Sequence, residues 1–180
     1  AALFVMSLGI ALVTRGNLGT TPISSLPLVS SYASSLTFGE TTFLINLLFV
    51  AAQWVLLRRS INKVLLLAQI PITLAFSYFI DTSMKFTEFL SSDVYWKCLA
   101  VSMLGNMVLG LGVALEVFSG AAALPGEGLV LAGSTVLHKP FSSVKIANDV
   151  ILVLLALLLS YFVFHGIRGL REGTIISALC

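Results

Sequence analysis

Long stretches of the chain carry no charged residue, and they constrain its fold more than any other feature. Residues 99–115 and 150–164 are examples. Each approaches the ~20 residues with which an α-helix crosses a hydrocarbon core about 30 Å thick. Backbone groups inside a bilayer must be paired within the protein, and barrel strands would need only about 10 residues of alternating polarity. The sequence therefore predicts an all-α membrane protein, a polytopic transmembrane helix bundle.

Composition and motifs exclude several other classes of protein. Hydrophobic residues make up 58% of the chain and charged residues 10%, which is too apolar for a soluble fold of this length. The net charge is +2 and the longest basic run is Arg58-Arg59, so we expect no nucleic-acid partner. The sequence contains no HExxH motif, no Walker glycine loop and no nucleophile elbow. We therefore expect no enzyme activity, no cofactor and no metal site.

Eight apolar segments alternate with short linkers, and one longer polar stretch divides them into two groups. This polar stretch, residues 81–97, predicts a first membrane repeat at 1–80, a connecting loop at 81–95 and a second membrane repeat at 96–180. The last apolar segment stops at Cys180, so we expect the C-terminus to be truncated. The segments are 1–14, 20–36, 41–57, 64–80, 96–118, 122–137, 144–165 and 172–180.

The second half of the chain resembles the first at a constant shift of 103 positions. Residues 9–77 overlay residues 112–180 without a gap and give 13 identities in 69 pairs, where such a composition yields about six by chance. Gly9 pairs with Gly112, and such a pairing reflects backbone geometry rather than hydrophobicity. The chain is therefore predicted to consist of two homologous repeats, each of about four helical segments.

The second segment of each half is short and begins after a turn. Gly19 and Pro22 mark it in the first half, and Gly120 and Pro125 mark it in the second. Glycine permits a sharp turn, and proline fits the first turn of a helix because its missing N–H leaves nothing unpaired there. Helices of about 14 residues from these prolines would rise about 21 Å, less than a full span. Each half is thus expected to contain a short or broken second helix.

These short helices leave two topologies open. If they cross the membrane, each half has four spans and the halves are parallel repeats. If they are re-entrant, each half has three spans and the halves are inverted. The positive-inside rule divides the 10 Lys and Arg residues six to four for crossing helices and five to five for re-entrant ones. The count favours crossing helices, with the arginine-rich side in the cytoplasm.

Three stretches of the chain resemble a known family. They are residues 9–22, residues 69–81, and residues 169–179 with the sequence Arg-Glu-Gly-Thr at 171–174. On these stretches the chain resembles the YczE/YyaS/YitT family of bacterial multi-pass membrane proteins. The resemblance covers nearly the whole chain and implies a bacterial inner-membrane protein of a kind often suggested to transport solutes. The chain departs from the family by ending at Cys180, inside the helix that the last motif opens.

Ionisable side chains within membrane helices are costly, and they are therefore the first candidates for function. Glu127 lies two residues after Pro125, and Glu116 ends an otherwise apolar span. Glu127 would either stabilise the positive end of its helix dipole or contact a proton, a cation or a substrate. Glu116 would either make such a contact or reach water at the membrane interface.

Four further polar residues are candidates for substrate binding. Gln69 and Glu172 are equivalent under the 103-residue shift, and they would form an asymmetric polar site or else cap helices. Arg15 and Asn17 precede the first short helix. The arginine would bind an anionic group there or else anchor a cytoplasmic loop.

These features predict a transporter of a small polar solute that works by alternating access at the repeat interface. Its partners would be the lipid bilayer, the solute, and either further copies of the chain or partner subunits. Two alternatives stay open. The chain could be a substrate-binding membrane subunit of a larger transporter, or a membrane scaffold or assembly protein that transports nothing.

Overall fold

The part of the chain that the computed structural model describes is entirely helical, as the sequence predicts. It comprises residues 1–57, 63–90, 94–119, 124–164 and Thr174. The helices are α1 (Ala2–Arg15), α2 (Pro22–Ala33), α3 (Phe38–Leu57), α4 (Lys63–Phe86), α5 (Tyr95–Ser119), α6 (Pro125–Leu137) and α7 (Phe141–Phe164), with a 3-10 turn at Glu88–Leu90.

Four of these helices, α3, α4, α5 and α7, are long and apolar enough to cross a membrane. They contain 20 to 25 residues, and only 17–28% of the residues in their most apolar stretches are buried inside the protein. Large apolar side chains such as Leu48, Met107 and Phe162 point outward instead. A surface of this kind is stable in lipid and not in water, which indicates a membrane protein.

Helices α1 and α5 lie against each other in antiparallel directions. A Cβ added to Gly9 would lie 2.5 Å from the backbone N of Leu109, and one added to Gly112 would lie 2.7 Å from that of Met6. Later residues of α1 thus meet earlier residues of α5. The two helices approach so closely because neither glycine places a side chain between them.

Helix α4 runs parallel to α1. Phe4 packs edge-on against Phe79, with ring centroids 5.7 Å apart, and Ser7 Oγ lies 3.2 Å from Ser83 Oγ one turn further along both helices. α1 supplies much of the core between α4 and α5. Ala11 and Val13 are completely buried there.

Helix α3 begins at the end of the bundle where α4 finishes. Thr37 and Glu40 form a capping box, in which Thr37 N–H donates to Glu40 Oε2 at 2.8 Å and Glu40 N–H donates to Thr37 Oγ1 at 3.1 Å. Asp81 of α4 accepts bonds from Thr37 Oγ1 at 2.6 Å and from the N–H of Gly39 at 2.7 Å. The start of α3 is therefore fixed to the last turns of α4.

The same contacts settle the path of α2. Arg15, the last residue of α1, donates from Nη2 to the carbonyl of Met84 at 2.8 Å, so α1 also ends where α4 finishes. α1 therefore ends on the side where α3 begins, and the 12-residue α2 between them is re-entrant. The charge count favoured crossing helices, and the helix directions contradict it. Its preference rested on a difference of one residue, whereas backbone contacts specify direction residue by residue.

Candidate functional site

The two short helices begin beside each other in the interior. Pro22 and Pro125 occupy the first positions of α2 and α6, where proline costs no backbone hydrogen bond. A Cβ added to Gly126 would collide with Cδ1 of Ile23, so the two residues are in contact. The first residues of both helices are buried, whereas their last residues are exposed. Two positive helix-dipole ends therefore converge inside the bundle.

The turn before α2 is held in place by polar contacts. Asn17 and Gly19 adopt positive φ angles of 52° and 118°, a conformation that Gly and Asn tolerate best. Thr20 Oγ1 lies 3.1 Å from Thr14 Oγ1, and Thr20 N–H donates to Thr174 Oγ1 at 3.3 Å. This turn delivers Thr21 as the N-cap residue of α2.

Thr21 is a buried polar residue whose hydroxyl is unused. It is 4% exposed, and its Oγ1 makes no capping bond. The hydroxyl has no hydrogen-bond partner among the residues that the structure describes. An unpaired buried hydroxyl costs free energy, so this group is available to a bound molecule.

A cavity of about 460 Å³ opens among the starts of α2 and α6 and the inward faces of α1, α3, α4, α5 and α7. Its size falls within the range of small-molecule sites, about 300–1,000 Å³. Most of the lining is apolar. Polar side chains interrupt it, among them Thr21, Ser24, Asn46, Glu127, Lys145 and Asp149.

The charged residues of the described lining are Glu127, Lys145 and Asp149, and all three belong to the second half of the chain. Lys145 Nζ lies 3.0 Å from Asp149 Oδ1, an i,i+4 pair on α7. Glu127 of α6 lines the same cavity. The described lining therefore contains two acidic residues and one basic residue, which is one acid in excess.

Glu116 is buried near the start of α6 but outside the described cavity lining. Its Oε1 accepts a hydrogen bond from the N–H of Leu124 at 3.0 Å, so it caps the helix that follows. The residue is 6% exposed, so its carboxyl group is buried within the protein. Its Oε2 has no partner among the described residues.

Gln69 also lies outside the described lining and supports α6 from behind. It forms a reciprocal amide pair with Gln53 of α3, at 3.1 and 3.3 Å. Gln53 Nε2 donates as well to the carbonyl of Pro125 at 3.0 Å. A Cβ at Gly128 would lie 2.6 Å from Gln53 Oε1, so this glycine lets α6 approach the pair.

The remaining candidates from the sequence do not meet at the cavity. Arg15 donates to the end of α4, which favours its anchoring role, and Asn17 is exposed in the turn before α2. Neither is part of the described cavity lining. Gly120 and Glu172 lie outside the described residues.

Of the polar residues in the described lining, the sequence identified only Glu127 as part of a site, and it missed Thr21, Ser24, Thr42, Asn46, Asn106, Lys145 and Asp149. A signal for Lys145 was nevertheless present. The 103-residue shift pairs Ser24 with Glu127, Thr42 with Lys145, and Asn46 with Asp149, and all six residues line the cavity. Thr21 and Asn106 carry no such signal, because their places depend on how the helices pack.

Long apolar helices around a cavity that contains a few charged and polar side chains, with two short helices meeting at it, are features of a polytopic helical membrane protein. No curated protein and no solved structure matches the chain. The chain belongs to a family of unknown function, DUF6198, whose sequence profile matches residues 1–180. The description of that family does not name the YczE/YyaS/YitT family, so this resemblance stays a prediction.

Proposed function

We propose that the protein is a secondary transporter that moves a small polar solute across the bacterial inner membrane. The observation that carries this proposal is the cavity among the starts of α2 and α6. Charged groups inside a membrane bundle are costly, and they commonly mark the path of a substrate or an ion. A scaffold would need neither the cavity nor the charges of Glu127, Lys145 and Asp149.

The proposal treats residues 1–80 and 96–180 as inverted repeats joined by residues 81–95. Under the 103-residue shift, α1, α2 and α3 correspond to α5, α6 and α7. The shift superposes the first residues of α2 and α6, which are Pro22 and Pro125. It also superposes the first residues of α3 and α7, which are Phe38 and Phe141. Helix packing is consistent with exchange of the two halves. α1 packs on its own counterpart α5, and the packing of α2 on α7 corresponds to that of α6 on α3.

Individual contacts also map onto one another. The 103-residue shift relates Gly9 to Gly112 and Met6 to Leu109, so the contact of Gly9 with Leu109 corresponds to that of Gly112 with Met6. Ile23 and Gly126 are themselves equivalent positions, and they contact each other. Because α1 and α5 are antiparallel, these correspondences support a twofold axis in the membrane plane. Transporters built from inverted repeats place their substrate at such an axis and rock one repeat against the other.

Alternating access can be tested with single cysteines in a background that lacks the two native ones. Asn46→Cys places a thiol in the cavity lining, and Leu48→Cys places one on the lipid side of the same helix, where Leu48 is 67% exposed. We expect a charged, membrane-impermeant thiol reagent to label Asn46→Cys from either side of oriented vesicles. Leu48→Cys should stay unlabelled, because a charged reagent does not enter lipid.

The pattern of labelling separates the alternatives. Labelling of Asn46→Cys from only one side would contradict alternating access and favour a capture subunit of a larger transporter. No labelling from either side would favour the scaffold. Solute flux into liposomes that contain only this protein provides the second criterion, since a capture subunit would need its partners.

A further inference from the structure

We propose that the cavity binds a small zwitterion with an apolar side chain, of the α-amino-acid type. In this assignment the carboxylate lies at the start of α2 beside Thr21, and the ammonium group lies beside Glu127. The inference rests on the proposed function for its physiological meaning, but binding can be tested without transport.

The start of α2 is suited to an anionic group. Its first turn contains no acidic residue, so the positive end of its dipole is not neutralised from within the helix. The unpartnered hydroxyl of Thr21, 4% exposed and part of the cavity lining, provides a donor at the same point. A carboxylate bound there would meet this donor and the dipole together.

The start of α6 has the opposite character. Glu127 lies in its first turn, and Glu116 accepts the hydrogen bond of the preceding residue, Leu124. These two carboxylates oppose the positive dipole end of α6. Within the cavity Lys145 is bonded to Asp149 at 3.0 Å, which leaves Glu127 as the acid in excess. An ammonium group beside Glu127 would balance the charge of the lining.

Only a molecule with both charges satisfies both helix starts. A simple anion would be repelled by Glu127, and a simple cation would leave the Thr21 hydroxyl and the dipole of α2 without a partner. The two helix starts are neighbours, since Ile23 contacts Gly126. The rest of the wall receives an apolar side chain and includes Ile10, Ile45, Phe49, Phe76, Leu109 and Val113.

Three probes of matched shape test the assignment by calorimetry on the purified protein. They are leucine, 3-methylbutylamine, which lacks the carboxylate, and 4-methylpentanoate, which lacks the ammonium group. We expect leucine to bind about tenfold or more tightly than either analogue, because each analogue leaves a buried polar group unpaired. Serine tests the apolar wall and should bind more weakly than leucine.

Two conservative variants assign the two charges. Thr21→Val should weaken leucine about tenfold or more and leave 3-methylbutylamine unchanged, because only the carboxylate partner is lost. Glu127→Gln should weaken leucine and 3-methylbutylamine to a similar extent without weakening 4-methylpentanoate. Thr73→Val is the matched control. Its hydroxyl is also buried and unpartnered among the described residues but lies outside the cavity lining, so leucine binding should not change.

The proposal is overturned if leucine does not bind, if an analogue binds as tightly, or if Thr21→Val behaves like Thr73→Val. Thermal unfolding of each variant shows whether it is folded, so that misfolding is not mistaken for lost binding. Leucine binding with the expected variant pattern but without flux in liposomes would support the zwitterion site and refute transport by the chain alone.

Discussion

The close contact of α1 with α5 predicts that a single methyl group at Gly9 destabilises the protein. In Gly9→Ala the new Cβ would lie 2.5 Å from the N of Leu109 and 2.7 Å from its Cα. Ordinary contacts between heavy atoms are about 3.5–4.0 Å, so the helices must separate by about 1 Å. Both atoms belong to the backbone and cannot rotate away. The strain is therefore expected to cost about 1–3 kcal/mol.

The higher helix propensity of alanine partly offsets the steric cost of Gly9→Ala. A matched variant with the same propensity gain allows the steric cost to be measured by itself. Alanine is better than glycine in a helix by about 0.5–1 kcal/mol. Gly110→Ala gains the same propensity on α5 but meets no atom within 4 Å. The difference between the two variants isolates the steric term, and we expect Gly110→Ala to be the more stable by about 1–3 kcal/mol. Gly112→Ala should resemble Gly9→Ala, since its Cβ would lie 2.7 Å from the N of Met6.

The assay is equilibrium unfolding in mixed micelles, followed by circular dichroism, with all variants in one detergent. Equal stability of Gly9→Ala and Gly110→Ala would refute the close antiparallel packing of α1 on α5. The inverted arrangement of the two halves would then lose its main support.

Three further variants test individual polar contacts by the same unfolding assay. Glu116→Ala leaves the buried N–H of Leu124 without its acceptor and should cost about 1–3 kcal/mol, whereas Glu116→Gln keeps an acceptor and should cost less. Asp81→Ala removes two bonds from the start of α3 and should cost about 2 kcal/mol; full stability would show that this anchor is dispensable. Gln53→Leu and Gln69→Leu should each destabilise, while the double variant should lose less than the sum, with a coupling of about 0.5–2 kcal/mol. A coupling near zero would contradict the amide pair.

Features that depend on local chemistry could be predicted from the sequence. Uncharged runs must be helical in a membrane, and a helix that starts at proline after a turn is recognisable without tertiary information. The predicted starts at Pro22 and Pro125 are confirmed. The direction of α2 could not be predicted in this way, because it depends on contacts such as that of Arg15 with Met84, between residues far apart in sequence.

The same distinction applies to the site. Glu127 was a candidate because an acid in a membrane segment is costly wherever it lies, and the structure places it in the cavity lining. Arg15 was a candidate because it precedes the first short helix, where it could bind an anionic group, but its Nη2 donates instead to the carbonyl of Met84 at the end of α4. Hydropathy therefore identifies which residues need a partner, and only packing determines which partner each one has.

The asymmetry of the cavity follows from substitutions at equivalent positions. Ser24, Thr42 and Asn46 are neutral, and the residues that the 103-residue shift pairs with them are Glu127, Lys145 and Asp149. If the two halves are related by a twofold axis and both carried the same neutral residues, the site would be symmetric and a ligand would have no preferred orientation. Charges confined to one half leave α2 as the positive end and α6 as the negative end. A bound zwitterion would then have one preferred orientation, with its carboxylate toward α2, whichever side of the membrane it enters from.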